Sequence, residues 1–410
     1  MASPSRAPAV VVIGAGLVGL ATAWLLCRRG YRVVLVDGQG SRDVSSASEP
    51  QRSSGSAAAL GVLMAGVFHR SSGRAWRLRQ RSQLLWRQWR QELAARGRPL
   101  PMRDGLLLLA ASEAELAHQQ ALLQDPRRPP GSLRSLDRGE LALLWPPPPP
   151  VALGGLLSLD DGQLDPVAAM EALRIDALEA GLEIVKGWAA ALERRTIGWR
   201  VQLANGERLE ADRVVITAGL GSMDLIPTDH RAEAPPLPPP LQPVLGQALE
   251  LAVCPGDVPA TVEADASADA LSRACNWPGA VVWKGINLIQ RTPEPHGCPP
   301  ADSAGELRFW LGATLEPGTV ADAQALERLR GLEGDAPGWL LRAQEVRRWQ
   351  GLRARPEGQA APLLQDLGEG LLLAAGHYRN GVLLAPASAE WVLERIEGSP
   401  VTPAAANTAF

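Results

Sequence analysis

The stretch VVVIGAGLVG, residues 10–19, decides the fold of this chain. Its first four residues form an apolar run typical of a strand buried on both faces of a sheet. Three glycines follow, and residues 20–29 have the composition of a helix that ends before Gly30. Residues 32–37 predict a second strand. A strand, a glycine-rich turn, a helix and a strand within about 30 residues predict a dinucleotide-binding βαβ unit.

Each glycine of the turn has a separate predicted role. Gly14 allows the tight turn, Gly16 lets the backbone approach a pyrophosphate, and Gly19 lets the helix pack against the strand. The helix N-terminus favours the negative charge of the pyrophosphate. Asp37, 18 residues after Gly19, can accept hydrogen bonds from ribose hydroxyls. An acidic residue there opposes a 2′-phosphate, so the turn favours FAD or NAD over NADP.

Two further segments favour FAD over NAD. Residues 214–219 form a predicted strand that ends in glycine, and residues 376–381 form a glycine-flanked turn. Both resemble loops that face a cofactor. A long ligand such as FAD, held by three separate segments, explains this arrangement better than a nicotinamide cofactor does.

Composition excludes several other classes of protein. Apolar residues make up 46% and charged residues 21% of the 410 residues, as in ordinary globular proteins. A net charge of −3 argues against a nucleic-acid partner. Residues 9–27 are almost wholly apolar, so a signal peptide or a membrane span is the alternative there. The glycines that divide this run, and the strand that follows it, oppose that alternative.

Cysteine and histidine usage predicts the compartment and the metal content. The four cysteines lie far apart without a C-x-x-C pair, which favours a reducing, cytoplasmic location. The five histidines form no H-E-x-x-H motif, so we expect no catalytic metal bound by the protein.

The remaining pattern predicts a mixed α/β (α+β) chain of two interleaved domains. Pro146–Pro150 predicts a polyproline II connector between domains, with an SH3-type ligand as the alternative, and a second proline cluster at 235–243 marks another crossing. The other predicted elements are helices at 74–96, 166–180 and 388–396, strands at 105–110, 183–186, 249–253, 281–288, 309–313 and 370–375, and a hairpin turn at Asn205-Gly206.

We therefore expect a Rossmann-like FAD-binding domain with an interleaved substrate domain on a mixed or antiparallel sheet. The predicted FAD-binding domain comprises residues 1–65, 150–235 and 345–400, and the substrate domain comprises 66–149 and 236–344. Residues 401–410 are predicted to form a flexible C-terminal tail.

Separate motifs resemble one known family. The fingerprint at 10–19 and the stretches at 161–166, 243–247 and 376–386 are similar to the FAD-dependent D-amino-acid oxidase superfamily. The last of these, GHYRNGVLLAP, resembles in particular the glycine oxidase branch linked to thiamine biosynthesis. Residues 311–316 and 349–356 also match the family pattern.

The resemblance implies roles for individual residues. Arg353 is in the position that binds the substrate carboxylate, and Arg379 is in the position beside it near the flavin. A planar guanidinium matches a carboxylate in a way that lysine does not. The cofactor-binding residues predicted from the motifs and the resemblance together are Gly14, Ala15, Gly16, Gly19, Asp37, Gly38, Gly55, Ser56, Ala57, Ala218, Gly219, Gly376, His377, Tyr378, Asn380, Gly381, Val382 and Leu383.

One departure from the family concerns the pocket wall. The family often has a tyrosine in a substrate-domain strand that faces the amino acid, whereas the comparable strand here is VVWK at 281–284. Trp283 is expected either to shape the pocket or to pack in the core. No cysteine lies near the C-terminal motif, which implies that FAD is bound without a covalent link.

The implied activity is oxidation of the C–N bond of a small amino acid or amine, such as glycine, sarcosine or a small D-amino acid. The products would be an imine or 2-oxo acid, ammonia and, with oxygen as electron acceptor, hydrogen peroxide. The alternatives are a membrane-associated D-amino-acid dehydrogenase that reduces a quinone, and a flavin-binding subunit with little activity of its own. Self-association into a homo-oligomer stays open.

Overall fold

A computed structural model describes residues 9–38, 52–68, 72–128, 130–227, 236–254, 275–291 and 307–398. The predicted tail at 401–410 lies outside these residues. The chain forms two compact units. The first comprises Met1–Ser45, Met170–Leu241 and Ala354–Phe410, and the second comprises Ser46–Ala169 and Gln242–Arg353.

Helices and strands alternate along much of the chain. The helices are α1 (Leu17–Arg28), α2 (Gly73–Ala95), α3 (Glu113–Leu123), α4 (Arg138–Leu141), α5 (Pro166–Glu179), α6 (Ala323–Arg330), α7 (Gly338–Arg342) and α8 (Gly381–Gly398). The strands up to the middle of the chain are β1 (Ala9–Ile13), β2 (Arg32–Asp37), β3 (Arg52–Ser53), β4 (Val62–Leu63), β5 (Met102–Ala110), β6 (Leu133–Leu136), β7 (Gly154–Leu164), β8 (Glu183–Lys186), β9 (Ala189–Arg194) and β10 (Trp199–Leu203). The later strands are β11 (Arg208–Ala211), β12 (Arg213–Ile216), β13 (Leu241–Ala252), β14 (Ala280–Trp283), β15 (Ile286–Arg291), β16 (Arg308–Gly312), β17 (Glu316–Pro317), β18 (Gln344–Pro356), β19 (Leu363–Asp366) and β20 (Leu371–Ala375).

The first unit contains a six-stranded sheet of order β19-β20-β12-β1-β2-β8. The strands from β20 to β8 are parallel, and β19 is antiparallel to β20. Every residue of β1 and β20 is buried, as expected for strands covered on both faces. The predicted βαβ unit is therefore present as β1, α1 and β2.

Helices α1 and α8 pack together in this unit. The buried indole of Trp24 in α1 also donates a hydrogen bond of 2.7 Å to Asp176 in α5. The predicted closing helix at 388–396 was too short, because α8 begins at Gly381 and contains Pro386. A proline early in a helix removes only one backbone hydrogen bond, and packing against α1 outweighs that loss.

The second unit is built on a mixed sheet whose main path is β3-β18-β13-β16-β15-β14-β5-β7-β4. Most neighbouring pairs are antiparallel, whereas β14 with β5 and β3 with β18 are parallel. Its faces carry separate apolar clusters. One cluster includes Trp283 and Phe309, and the other includes Trp310 and Trp349.

The predicted single strand at 281–288 was wrong. It is a hairpin of β14 and β15, joined by Lys284 (φ 46°) and Gly285 (φ 80°). Positive φ at both turn residues is the conformation that matches the twist of paired strands. Trp283, before this turn, is fully buried in the apolar cluster with Phe309. It therefore packs in the core and does not shape a pocket.

The proline run at 146–150 does not connect the units, because the residues on both sides belong to the second unit. The indole of Trp277 donates to the carbonyl of Pro146 at 2.6 Å, and that of Trp339 donates to Pro147 at 2.8 Å. Proline has a carbonyl acceptor without an N–H donor, and indole has a donor only, so the two are complementary. The run is thus anchored in the core and is not an exposed SH3-type ligand.

Strand pairing also explains where the units divide. Residues 46–65 and 150–169 were assigned to the FAD-binding domain in the sequence prediction, but they lie in the second unit. The reason is that β7 pairs with both β5 and β4, which ties these segments to the mixed sheet. The functional roles of the two units stay a prediction.

Asp161 in β7 fixes the loop that follows β4. Its carboxylate is 1% exposed and accepts hydrogen bonds from the backbone N–H groups of Ala65 (2.7 Å), Gly66 (2.8 Å) and Val67 (3.0 Å). The Gln83 side chain donates to it at 3.0 Å. Burial raises the pKa of this carboxyl, and the backbone donors oppose that rise. One side chain therefore satisfies three consecutive backbone donors.

We predict that Asp161→Ala lowers the free energy of unfolding by about 2–4 kcal/mol, because these N–H groups lose their acceptor. Asp161→Asn keeps one acceptor oxygen and is expected to lose about half as much. Urea denaturation of both variants and the wild type measures the difference. Equal stability of Asp161→Ala and the wild type would contradict the anchoring role.

Candidate functional site

The first unit has a topological switch point at β1. Within the sheet, β2 lies next to β1 on one side and β12 lies next to it on the other side. The chain therefore runs in one direction from β1 to β2 and later returns to the opposite side of β1. In such sheets ligands bind at the carboxyl ends of the strands beside the switch. The turns after β1, β12 and β20 all leave that edge, and they contain the predicted residues Gly14, Ala218 and Gly376.

Two glycines, Gly14 in the turn after β1 and Gly19 in the first turn of α1, have no room for a side chain. Gly14 has φ +109°, and a Cβ there would lie 2.7 Å from the carbonyl oxygen of Thr217. A Cβ on Gly19 would lie 1.8 Å from the Gly14 oxygen. The Thr217 hydroxyl contacts the carbonyls of Ile13 and Gly14 at 2.9 Å. The sequence prediction placed Thr217 inside a strand that reaches residue 219 and gave it no role, whereas β12 ends at Ile216 and Thr217 lies in the turn.

The start of α1 suits an anion. Gly16 is the N-cap with an extended backbone, and it provides no side-chain cap. The first turn contains no acidic residue. Ala15 adds only a methyl group next to this helix end. Backbone N–H groups and the helix dipole there can bind a pyrophosphate, so these residues fit FAD.

Asp37 ends β2 at the same edge of the sheet and is half-buried. Gly38 follows it, and a Cβ on Gly38 would lie 3.0 Å from the indole of Trp188. The Trp188 side chain is half-exposed and covers the end of β2. The sequence contains no local signal for this contact, because Gly38 and Trp188 are 150 positions apart.

The turn after β12 is short. Ala218 is half-buried, and Gly219 is exposed with φ +60° at the start of a 3₁₀ helix, Gly219–Leu225. This left-handed conformation turns the chain sharply after Thr217. The two predicted residues therefore lie next to the Gly14 turn. A Cβ on Gly14 would lie 2.9 Å from the Cα atom of Ala218.

The turn after β20 contains two residues with positive φ. Gly376 (φ +63°) lies among the side chains of Leu241, Pro356 and Leu363, and Tyr378 has φ +53°. The predicted residues that follow are the half-buried Asn380 and Gly381, the buried Val382 and Leu383 at the start of α8, and the exposed Arg379.

His377 is buried within this turn. Its Nε2 atom forms a hydrogen bond of 2.8 Å with the Ser388 hydroxyl in α8. Burial lowers the pKa of its imidazole from 6.5 to about 4. The side chain is therefore neutral at physiological pH, and it adds no charge to the cofactor-binding edge.

The second unit contains the predicted Ser/Ala loop and Arg353. Gly55 is exposed, Ser56 and Ala57 are half-buried, and the Ala57 N–H donates to the Ser54 hydroxyl at 3.2 Å. A Cβ on Gly55 would lie 2.9 Å from the carbonyl oxygen of Leu352. The loop thus lies directly against β18, next to Arg353.

The guanidinium of Arg353 is held by two backbone carbonyls. Its Nη1 donates to Thr314 at 2.9 Å and to Leu245 at 3.3 Å. A Cβ on Gly246 would lie 2.3 Å from Nη2, so only glycine leaves this space to the guanidinium. A glycine inside a strand often marks such a close approach, and this was the signal available in the sequence.

Three other features of the described residues bear on their chemistry. Among the described residues, no group of three or more His, Cys, Asp or Glu side chains is placed to hold a metal ion. No helix in the described part of the chain is long and apolar enough to cross a membrane. Burial raises the thiol pKa of Cys27 to about 12 and that of Cys275 to about 11. Cys298 lies outside the described residues.

Known proteins resemble this chain over nearly its whole length. The family model for FAD dependent oxidoreductases (DAO) matches residues 9–395. Glycine oxidase from Bacillus licheniformis is 27% identical, over 95% of this chain and 93% of its own. The structure of glycine oxidase from Geobacillus kaustophilus has a TM-score of 0.73 and 22% identity, with 96% of both chains covered. Iminodiacetate oxidase from Chelativorans sp. BNC1 has a TM-score of 0.72 and 21% identity, over 95% of this chain and 96% of its own. At these identities the two structures show the fold alone.

We predict that Gly19→Ala abolishes FAD retention, because the new Cβ would collide with the backbone of the Gly14 turn. Gly398→Ala is the matched control, since a Cβ on this last residue of α8 meets open space. The ratio of visible to ultraviolet absorbance of the purified variants measures bound FAD. Normal FAD content in Gly19→Ala would show that the turn does not form as described.

A second prediction concerns pH. Between pH 6.5 and about 4 the unfolded chain protonates His377, whereas the folded chain does not. Stability therefore falls as the pH decreases through this range, by up to about 3 kcal/mol. Chemical denaturation at several pH values should show a flatter profile for His377→Asn. The exposed His118→Asn controls for loss of an imidazole, and an unchanged slope in His377→Asn would refute the assignment.

Proposed function

Since the chain belongs to the DAO family of FAD-dependent oxidoreductases, we propose that it oxidises the C–N bond of a small amino acid or amine. Glycine, sarcosine and small D-amino acids are the substrates that we would test first. The similarity to proteins named glycine oxidase and iminodiacetate oxidase supports this choice. Glycine and iminodiacetate both carry a carboxylate one carbon away from an amine.

The placement of Arg353 is the observation that carries the proposal. Backbone carbonyls hold one nitrogen of its guanidinium, and Gly246 leaves room for the whole group. We propose that this guanidinium binds the substrate carboxylate through paired, charge-assisted hydrogen bonds. Fixing the carboxylate also fixes the direction of the Cα–H bond. Arg379, exposed in the turn after β20, is proposed to assist near the flavin.

Bound FAD would supply the redox chemistry, as acceptor of a hydride from the substrate Cα and donor of two electrons to oxygen, with hydrogen peroxide as the proposed product. The chain's residues are proposed to bind and orient. The amine enters neutral, so no protein base is required. Water would hydrolyse the imine product to a 2-oxo acid, with release of ammonia from a primary amino acid or of methylamine from sarcosine. FAD is proposed to be held without a covalent link, because none of the four cysteines lies near the motif at 376–386. Burial also keeps the thiols of Cys27 and Cys275 protonated.

Residues in the first unit are proposed to hold FAD. Gly14–Gly19 and the start of α1 would bind the pyrophosphate, and Asp37 would bind the ribose. The turns after β12 and β20 would contact the rest of the cofactor. A cytoplasmic location and a role in thiamine (thiazole) biosynthesis are parts of the same proposal. They are supported by the cysteine pattern and by the likeness of residues 376–386 to glycine oxidases.

We predict that Arg353→Ala raises the KM for the amino acid by about 100-fold or more, because two charge-assisted hydrogen bonds are lost. Arg353→Lys keeps the charge without the fork and should lose about tenfold. Arg348→Lys is the matched control on the same strand, where an exposed arginine pairs with Glu345. Steady-state kinetics with equal FAD content compares the variants.

The same assay separates the alternatives. Peroxide formation with purified protein, oxygen and a small amino acid supports the oxidase. Flavin reduction without peroxide, in the presence of a quinone that is consumed, would favour the dehydrogenase. If no amino acid or amine in the panel reduces the flavin anaerobically, the chain is a flavin-binding subunit and the proposed activity is wrong.

A further inference from the structure

We infer that Glu316 is a positioning residue for Arg353, acting through the backbone carbonyls that hold the guanidinium. The inference rests on the proposed function, because Arg353 is the proposed carboxylate-binding residue. Glu316 begins β17, and its cross-strand neighbour in β13 is Leu245. Leu245 is one of the two residues whose carbonyls accept hydrogen bonds from Arg353.

The Glu316 carboxylate is buried and accepts three hydrogen bonds. The amide of Gln247 donates to Oε1 at 2.9 Å, and the Thr314 hydroxyl donates to the same oxygen. The backbone N–H of Asp322 donates to Oε2. Glu316 is 7% exposed. All three partners are donors, so the cluster is satisfied by a carboxylate that only accepts.

Thr314 transmits this arrangement to Arg353. Its hydroxyl accepts from the Gln247 backbone N–H at 2.8 Å, so its single proton is available for Glu316. Its backbone N–H donates to the Gln247 carbonyl at 3.1 Å. These two hydrogen bonds fix the position of Thr314. Its own carbonyl accepts a hydrogen bond from Arg353 at 2.9 Å. The second carbonyl that holds Arg353 therefore also belongs to a residue tied to Glu316.

Strand alternation explains how one short segment serves both groups. Gly246 and Gln247 are neighbours in β13, and successive residues of a strand face opposite sides. Gly246 lies against the Arg353 guanidinium, whereas the Gln247 side chain reaches Glu316. Gly246 and Gln247 thus connect the buried Glu316 carboxylate on one face of β13 to the Arg353 guanidinium on the other face.

Replacing the carboxylate should loosen these carbonyls without altering the chemistry at the flavin. In Glu316→Gln, one oxygen becomes an NH₂ group that faces a donor of the cluster, and that donor loses its acceptor. The Thr314 and Leu245 carbonyls are then free to shift, and the guanidinium loses its fixed direction. We expect weaker binding of carboxylates, and hence a raised KM with little change in kcat.

The first experiment uses the FAD-loaded protein and acetate as the probe. The shift of the flavin visible spectrum gives the Kd of acetate. We expect Glu316→Gln to raise this Kd about tenfold, with unchanged FAD content. The control is Glu250→Gln, which removes another buried carboxylate from β13 that pairs with Arg308 and Arg347. Gly246→Ala, which displaces the guanidinium directly, should give the same weakening.

A double-mutant cycle separates positioning from general destabilisation. In an Arg353→Lys background, Glu316→Gln should add little to the loss of acetate affinity, because its effect passes through the guanidinium. Additive losses would overturn the inference. So would a Glu316→Gln variant that binds acetate as tightly as the wild type.

A crystal structure of Glu316→Gln tests the inference independently of the proposed function. We expect the bond between Arg353 Nη1 and the Thr314 carbonyl to be lost or the guanidinium to be displaced. An unmoved guanidinium refutes the positioning role even if the enzyme is an amino-acid oxidase. If wild-type protein neither binds acetate nor oxidises any amino acid, the proposed function fails, and a displaced guanidinium still supports the structural link.

Discussion

The contact between Gly19 and the Gly14 turn is the constraint on which the unit formed by β1, α1 and β2 depends. The two residues approach so closely that a methyl group on Gly19 would overlap the Gly14 carbonyl. This approach lets α1 start immediately after β1, so the helix N-terminus faces the carboxyl edge of the sheet. Thr217 then closes the turn from β12 through its hydroxyl and its carbonyl. The position of the α1 N-terminus beside the end of β1 therefore follows from the absence of two side chains.

Elements defined by local sequence were predictable. The βαβ unit and the Asn205-Gly206 hairpin depend on residues that are neighbours in the chain, and both are present. The hairpin at Lys284-Gly285 was missed because lysine is not a usual residue for positive φ, and the continuous apolar pattern around it predicts one strand. The early start of α8 was missed because Pro386 predicts a break, whereas packing on α1 decides the helix.

The candidate site was predictable to the extent that residue type carries the chemistry. The glycines of the turn after β1 are predicted from their small size, and the strand order brings three of the predicted turns to one edge. Arg353 is one of many arginines, and only its position in a motif that resembles the family singles it out. The groups that hold Arg353 could not be found in this way. They are the backbone carbonyls of Leu245 and Thr314. Every residue type has such a carbonyl, so residue type does not reveal them. The pairing of β13 with β16 and β17, and the bonds between Thr314 and Gln247, place them together.

Carbonyl acceptors suit an arginine that must bind an anion. A carboxylate paired directly with the guanidinium would orient it, but it would also cancel its charge and compete with a substrate carboxylate. The bonds from Nη1 to Leu245 and Thr314 orient the group through neutral dipoles. The buried charge of Glu316 is balanced by three donors of its own, and His377 is kept neutral by burial. The two bonds from Nη1 thus fix the direction of the Arg353 guanidinium through carbonyl dipoles that carry no net charge.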